Sequence, residues 1–136
     1  MKTIFSTGYQ NSWLNLWLLI LRIGASILML THGFPKLMKV IEGNMQFGDP
    51  LGLGATTSLI LATFAEAFCS IFIMLGLATR LATIPLIITM ATAAFIVHAN
   101  DPFSRQEMPL LYLLIYITLL VTGAGKYSVD HAISKR

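Results

Sequence analysis

Charge is what this sequence has least of. Only 11% of its 136 residues are Asp, Glu, Lys or Arg, against about 25% in an ordinary soluble domain. So few charges cannot cover a water-facing surface, and the scarcity points to an integral membrane protein. The formal net charge is only +3, and the basic residues are scattered, which leaves nucleic acid no patch to bind. Cysteine is nearly absent as well, Cys69 being the single one. That excludes an internal disulfide, a CxxC redox pair and a cysteine metal cluster. There is no haem, flavin or iron–sulfur motif, so no cofactor is encoded by a motif. Residues 13–30 lack a short apolar core followed by a small-residue cleavage site, so a removable leader is not expected.

Long apolar runs are abundant instead. A spanning helix needs about 20 mostly apolar residues, and four runs qualify, at about 13–37, 56–77, 81–98 and 108–123. The expected fold is all-α: a four-transmembrane-helix antiparallel bundle, one domain over residues 1–136, with both termini on the same side. Trp13 and Trp17 open the first run one helical turn apart, as an interfacial aromatic belt requires. Pro35 should kink or end it, because proline removes an internal hydrogen bond. Gly43, Gly48, Pro50, Gly52 and Gly54 mark the following stretch as a loop. Gly76 closes the second run, and the very short turn to Arg80 makes runs two and three a hairpin. Lys2, Arg80, Lys126, Lys135 and Arg136 gather on one side, against Lys36, Lys39 and Arg105 on the other. By the positive-inside rule the termini are cytoplasmic.

Against this apolar background the buried charges stand out. Arg22 sits about nine residues into the first span, about 13 Å deep at about 1.5 Å per residue. Glu66 sits about ten residues into the second from the opposite side, about 15 Å deep by the same rise. In a hydrocarbon core of about 30 Å the two reach similar depth, so an Arg22–Glu66 pair is expected. Such a pair can be functional, or it can simply lock two helices together.

Helical spacing of about 100° per residue groups the polar positions into faces. Arg22, Ala25, Ser26, Met29, His32, Gly33 and Lys36 share one face of span one. Ser58, Ala62, Thr63, Glu66, Cys69 and Ser70 share one on span two. Ala91, Ala94 and His98 align on span three, and Glu107, Leu111, Leu114 and Thr118 on span four. Small residues let membrane helices approach closely, so these faces should form the bundle interior. His32, Lys36, His98 and Glu107 then converge near the non-cytoplasmic end, in a partly polar pocket with Arg22 and Glu66 at its floor. Taken singly, each has a plainer role: His98 capping carbonyls, Lys36 snorkelling to the interface, Glu107 answering a helix dipole. Their convergence is what marks a site. A metal site from His32, His98 and Glu66 has no spacing signature behind it. At the cytoplasmic surface, Arg80 and Asp130 are expected to form a structural pair that pins the tail to the hairpin.

The order of these residues resembles the DoxX family of small four-helix membrane proteins. The matching positions are His32-Gly33 with Lys36, then Glu66, the turn Gly76-Leu77-Ala78-Thr79-Arg80, and His98 with Phe103 and Glu107. Gly123-x-Gly125-x-Tyr127-Ser128-x-Asp130 closes the match, with Ala124 where the family often has proline. The resemblance implies a protein of the bacterial cytoplasmic (inner) membrane, akin to members linked to membrane oxidoreductase systems, including thiosulfate:quinone oxidoreduction, and to oxidant responses.

Pocket and resemblance together lead to a quinone-linked oxidoreductase subunit, or a protein binding a quinone or another small apolar ligand. Histidine, lysine and glutamate can hydrogen-bond quinone carbonyls and relay protons. Electrons would come from a redox partner protein, and the chain is expected to form homo-oligomers in the lipid bilayer. The alternatives are a non-catalytic anchor or assembly module for partner proteins, and a small transporter.

Overall fold

The computed structural model describes residues 4–134. Lys2, Lys135 and Arg136, which entered the charge count above, lie outside them. Every regular element among the described residues is helical: α1 (Asn11–Ile41), α2 (Ala55–Leu75), α3 (Thr79–Val97), α4 (Phe103–Thr122) and the short α5 (Val129–Ser134). α1, α2 and α3 are long and apolar enough to cross a membrane. α4 has 20 residues, but its first turns carry Arg105, Gln106 and Glu107, which dilute its hydropathy. Outward-facing positions along the helices are Leu, Ile, Val and Phe, as at Leu28, Ile88, Phe95, Leu114 and Val121. In water that surface would be untenable; in lipid it is the required one.

α1 runs the length of α2, and α3 packs most extensively against α4. The core between them is built from Leu18, Met29, Cys69, Ile73, Leu86, Met90, Tyr112, Tyr116 and Leu119. α2 and α3 each contain a π-helical turn, at Phe64–Cys69 and Ala93–Val97. Such turns insert an extra residue into the helical repeat and recur at functional sites. Pro35 does not end α1, which continues to Ile41. Its missing N–H removes a single bond from a helix held along its length by packing, so α1 runs on past the proline.

The α2–α3 hairpin ends α2 in a Schellman turn. Gly76, at φ +72°, occupies the left-handed position, the Leu77 N–H donates to the Phe72 carbonyl at 2.8 Å, and the Gly76 N–H donates to Ile73. This end of the bundle is clamped by the tail. Arg22, fully buried, donates from Nη1 to the Ile73 and Met74 carbonyls at 3.2 and 3.4 Å and from Nη2 to the Tyr127 carbonyl. It thus adds a charged donor to carbonyls at the C-terminus of α2, where a cation is favoured.

The expected Arg22–Glu66 pair does not form. Eleven residues separate Arg22 from Gly33, the residue that touches Glu66, and that is about 16 Å along a helix. Depth counted from Trp13 places Arg22 too far into the bundle, because Arg22 lies level with the hairpin end of α2. α1 in fact begins beyond the hairpin, and the tail packs over its first turns, with the Lys126 N–H donating to Asn15 Oδ1 at 2.9 Å.

Arg80 and Asp130 do not form the expected pair either. Asp130 caps α3, accepting the Ala78 and Thr79 N–H groups at 2.7 and 2.9 Å, while Arg80 donates to the Val121 carbonyl at 3.3 Å. The tail is indeed held to the hairpin. The carboxylate does it through unpaired backbone donors, which a helix N-terminus offers more directly than a mobile guanidinium.

Candidate functional site

At the end of the bundle away from this clamp lies a cavity of about 400 Å³, within the range of about 300–1,000 Å³ usual for small-molecule sites. One glycine sets its inner wall. A Cβ at Gly33 would stand 2.6 Å from the Glu66 carbonyl carbon and oxygen, so only glycine lets α1 lie against the π turn of α2. One turn further along α1, Lys36 Nζ reaches Glu66 Oε1 at 2.8 Å. The carboxylate is almost wholly buried and the ammonium partly so. Lys36 also lies 3.5 Å from the His32 carbonyl. Each charge has the partner that burial demands.

Around this pair the wall is nearly all apolar, with three ring-bearing polar groups. His32 meets the ring of Tyr112 edge-on at 6.1 Å, and Tyr112 in turn stacks on Tyr116 at 6.1 Å. His98 lines the cavity from the end of α3. Its Nδ1 lies 2.7 Å from Asp101 Oδ2, and its carbonyl accepts from Gln106 Nε2 at 2.7 Å, so the ring is anchored from the α3–α4 loop. Among the described residues, no three His, Cys, Asp or Glu side chains are placed to hold a metal ion.

The α1–α2 loop roofs the cavity with Phe47, Pro50, Leu51 and Leu53. Lys39 holds one end, donating to the Gln46 carbonyl at 2.5 Å with its ammonium 5.9 Å from the Phe47 ring. Asp49 holds the other. Its carboxylate accepts from the Leu53 and Gly54 N–H groups at 2.8 and 2.9 Å and from Ser58 Oγ at 2.9 Å. Burial raises the Asp49 pKa, but these bonds, led by Gly54, outweigh it and hold the carboxyl below its ordinary value.

The structure therefore brings His32, Lys36, Glu66 and His98 to one cavity and leaves out Arg22 and Glu107. Glu107 is exposed on the early part of α4. The interior face of α4 is Pro109, Tyr112, Tyr116 and Leu119, not Glu107, Leu111, Leu114 and Thr118. That expectation anchored the face on a charge that lies at the helix end and has water within reach. Tyr112 was missed. Its signal was Tyr112 and Tyr116 one turn apart in an otherwise aliphatic run, two hydroxyls that lipid would leave unpaired.

A family model, DoxX, matches residues 17–99, a stretch that takes in most of α1, both π turns, and His32, Lys36, Glu66 and His98. The chain belongs to the DoxX family. α4 and the tail lie beyond the matched stretch. Among relatives, a Haemophilus influenzae protein of uncharacterized function is 30% identical, covering 88% of this chain and 92% of its own. The Bacillus subtilis protein named "Putative oxidoreductase CatD" is 29% identical over 93% of both. An uncharacterized membrane protein of Mycobacterium tuberculosis is 28% identical over 85% of this chain and 80% of its own. No solved structure matches. Family membership and the apolar helices make this DoxX protein a membrane protein.

Proposed function

We propose that this DoxX protein binds a quinone in the cavity beside Lys36 and Glu66 and serves as the quinone-handling subunit of a membrane oxidoreductase. The observation that carries the reading is the Lys36–Glu66 ion pair set in an otherwise apolar cavity. A quinone ring is a flat apolar body with two carbonyl acceptors. Lys36 has a donor to spare beyond Glu66, and His32 and His98 supply further polar atoms on the lining. Reduction to the quinol takes two electrons and two protons. Glu66 and Lys36 can exchange the protons, and the electrons come from a redox partner protein. The oxidoreductase name of the Bacillus subtilis relative agrees with this.

The same proposal sets the protein in a bacterial inner membrane with four spans and cytoplasmic termini. α4 is about 30 Å long, enough to cross. Lys36 is neutralised inside the bundle by Glu66, so it drops out of the charge count at the cavity end. The basic bias towards the tail end is stronger without it.

The test is native mass spectrometry of protein purified in mild detergent, with organic extraction and titration of added quinone. Retention of a quinone by the wild type, weakened at least about tenfold in Lys36→Met and Glu66→Gln, is the expected result. A protein that carries only phospholipid and binds no quinone at micromolar levels is an anchoring module instead, and the proposal falls.

A further inference from the structure

The wall of the cavity is open on one flank. From the π turn Phe64–Cys69 to the hairpin, α2 packs against α3, but the preceding stretch Ala55–Thr63 makes almost no contact with it. Leu61 stands on the α2 rim of this gap, and Ile88 and Val97 stand on the α3 rim; all three line the cavity. All three are also about half exposed, at 50%, 56% and 52%. Leu51 and Leu53 of the roof are equally exposed, but their loop runs over the cavity, whereas almost no packing bridges Ala55–Thr63 and α3, so the gap between these helices places the mouth. Here the mouth is aliphatic and sits within the apolar belt of two spanning helices. The roof above is tied down by Lys39 and Asp49. The roof is thus bonded at both ends, while the flank between α2 and α3 is bridged by almost nothing.

Size sharpens the point. About 400 Å³ holds a one- or two-ring head and little more. A ligand with a long apolar tail fits only if the tail leaves through a wall that keeps it out of water.

We infer that the cavity is entered sideways from the bilayer, between Ala55–Thr63 of α2 and the second half of α3. Its ligand is a lipid-dissolved molecule whose polar head reaches Lys36 and Glu66 while its isoprenoid-type tail runs out past Leu61 and Ile88. The identity of the head rests on the quinone reading; the opening does not. Loading from lipid keeps the tail in an apolar medium throughout and lets it pack against Leu61 and Ile88 at the mouth, so quinones without a tail bind more weakly.

The experiment uses the full chain in lipid nanodiscs with two probes. One is a naphthoquinone pair differing only by two isoprene units. The other is a phospholipid with a diazirine at the end of one acyl chain, read by mass spectrometry of the peptide bearing Tyr112. Ile88→Trp and Leu61→Trp narrow the mouth from opposite rims at exposed positions, and Leu114→Trp, exposed on α4 away from the cavity, is the control. The tailed quinone should bind at least about tenfold more tightly than the tail-less one to wild type and control. Either rim variant should abolish that difference while leaving tail-less binding within about twofold, and should suppress labelling of the Tyr112 peptide. Quinone binding with no tail preference and no acyl-chain labelling overturns the lateral mouth and leaves the quinone reading standing. Labelling that the rim variants suppress, with no quinone bound at all, supports the mouth and removes the quinone.

Discussion

The carboxylate of Glu66 is paired with the ammonium of Lys36, 2.8 Å away, across the contact between α1 and α2. Glu66 is the more deeply buried of the two, so loss of Lys36 strands a carboxylate among apolar side chains. Breaking a buried pair from one side costs about 3 kcal/mol or more, whereas replacing both members by apolar groups is often neutral. Lys36→Met should therefore lower unfolding stability in detergent by about 3 kcal/mol, and Lys36→Met with Glu66→Met should recover most of it. Additive losses in the double-mutant cycle would show that the two side chains act independently.

Gly33 and Gly24 lie on the same helix and should respond oppositely to the same change. A Cβ at Gly33 collides with the backbone of Glu66, while one at Gly24 meets nothing within 4 Å. Overpacking of this kind costs about 1–3 kcal/mol, and an open helical glycine gains up to about 1 kcal/mol on becoming alanine. Thermal unfolding should place Gly33→Ala below wild type and Gly24→Ala at or above it. Gly33→Ala should also weaken ligand binding, because Lys36 and Glu66 are brought together by that close approach.

Arg22 serves the opposite end of the molecule. Its three carbonyl partners, at Ile73, Met74 and Tyr127, need a planar fork of donors, and a lysine offers a single point charge on a flexible stem. Arg22→Lys should fail to restore the clamp, and Arg22→Met should cost about 2–3 kcal/mol through charged hydrogen bonds lost. Hydrogen exchange should show residues 123–130 opening in both variants while α3 and α4 stay protected. Unchanged quinone binding in Arg22→Lys would confirm that the clamp and the cavity are separate devices.

The apolar helices and the inward faces of α1 and α2 were legible because membrane burial imposes simple rules. Apolar length fixes a span, and small or polar residues at helical spacing fix the inner face. The faces of α1 and α2 followed from Arg22, Ser26, Met29 and Gly33, and from Thr63, Glu66, Cys69 and Ser70. Pairing was not legible. Which cation meets Glu66 depends on where α1 slides against α2, and Gly33 sets that register through a contact that spacing within one helix cannot reveal. The face of α4 was misread because Glu107 outweighed two tyrosines. At a helix end a charge can reach water and says little, whereas Tyr112 and Tyr116 in mid-helix cannot.

The roof of the cavity should loosen in acid, and Asp49 sets the direction. Its carboxyl is held below its ordinary value of 3.8, so the folded loop prefers the charged form. A group with a depressed folded value contributes stability that is complete above its unfolded value and is lost as pH falls through the folded one. The loop should thus be fully anchored at neutral and mildly acidic pH and should come free only as pH drops below 3.8. The amides of Leu53 and Gly54, which donate to Asp49, report on this through hydrogen exchange corrected for its intrinsic pH dependence. Asp49→Asn removes the charge while keeping an oxygen acceptor. It should exchange faster than wild type at neutral pH and show no acid transition of its own. Phe47 and Pro50 roof the cavity from this loop, but the ligand passes between α2 and α3, so it should dissociate from Asp49→Asn and wild type at equal rates at neutral pH. Faster dissociation from Asp49→Asn at neutral pH would mean that ligand leaves through the roof, and would count against the opening between α2 and α3.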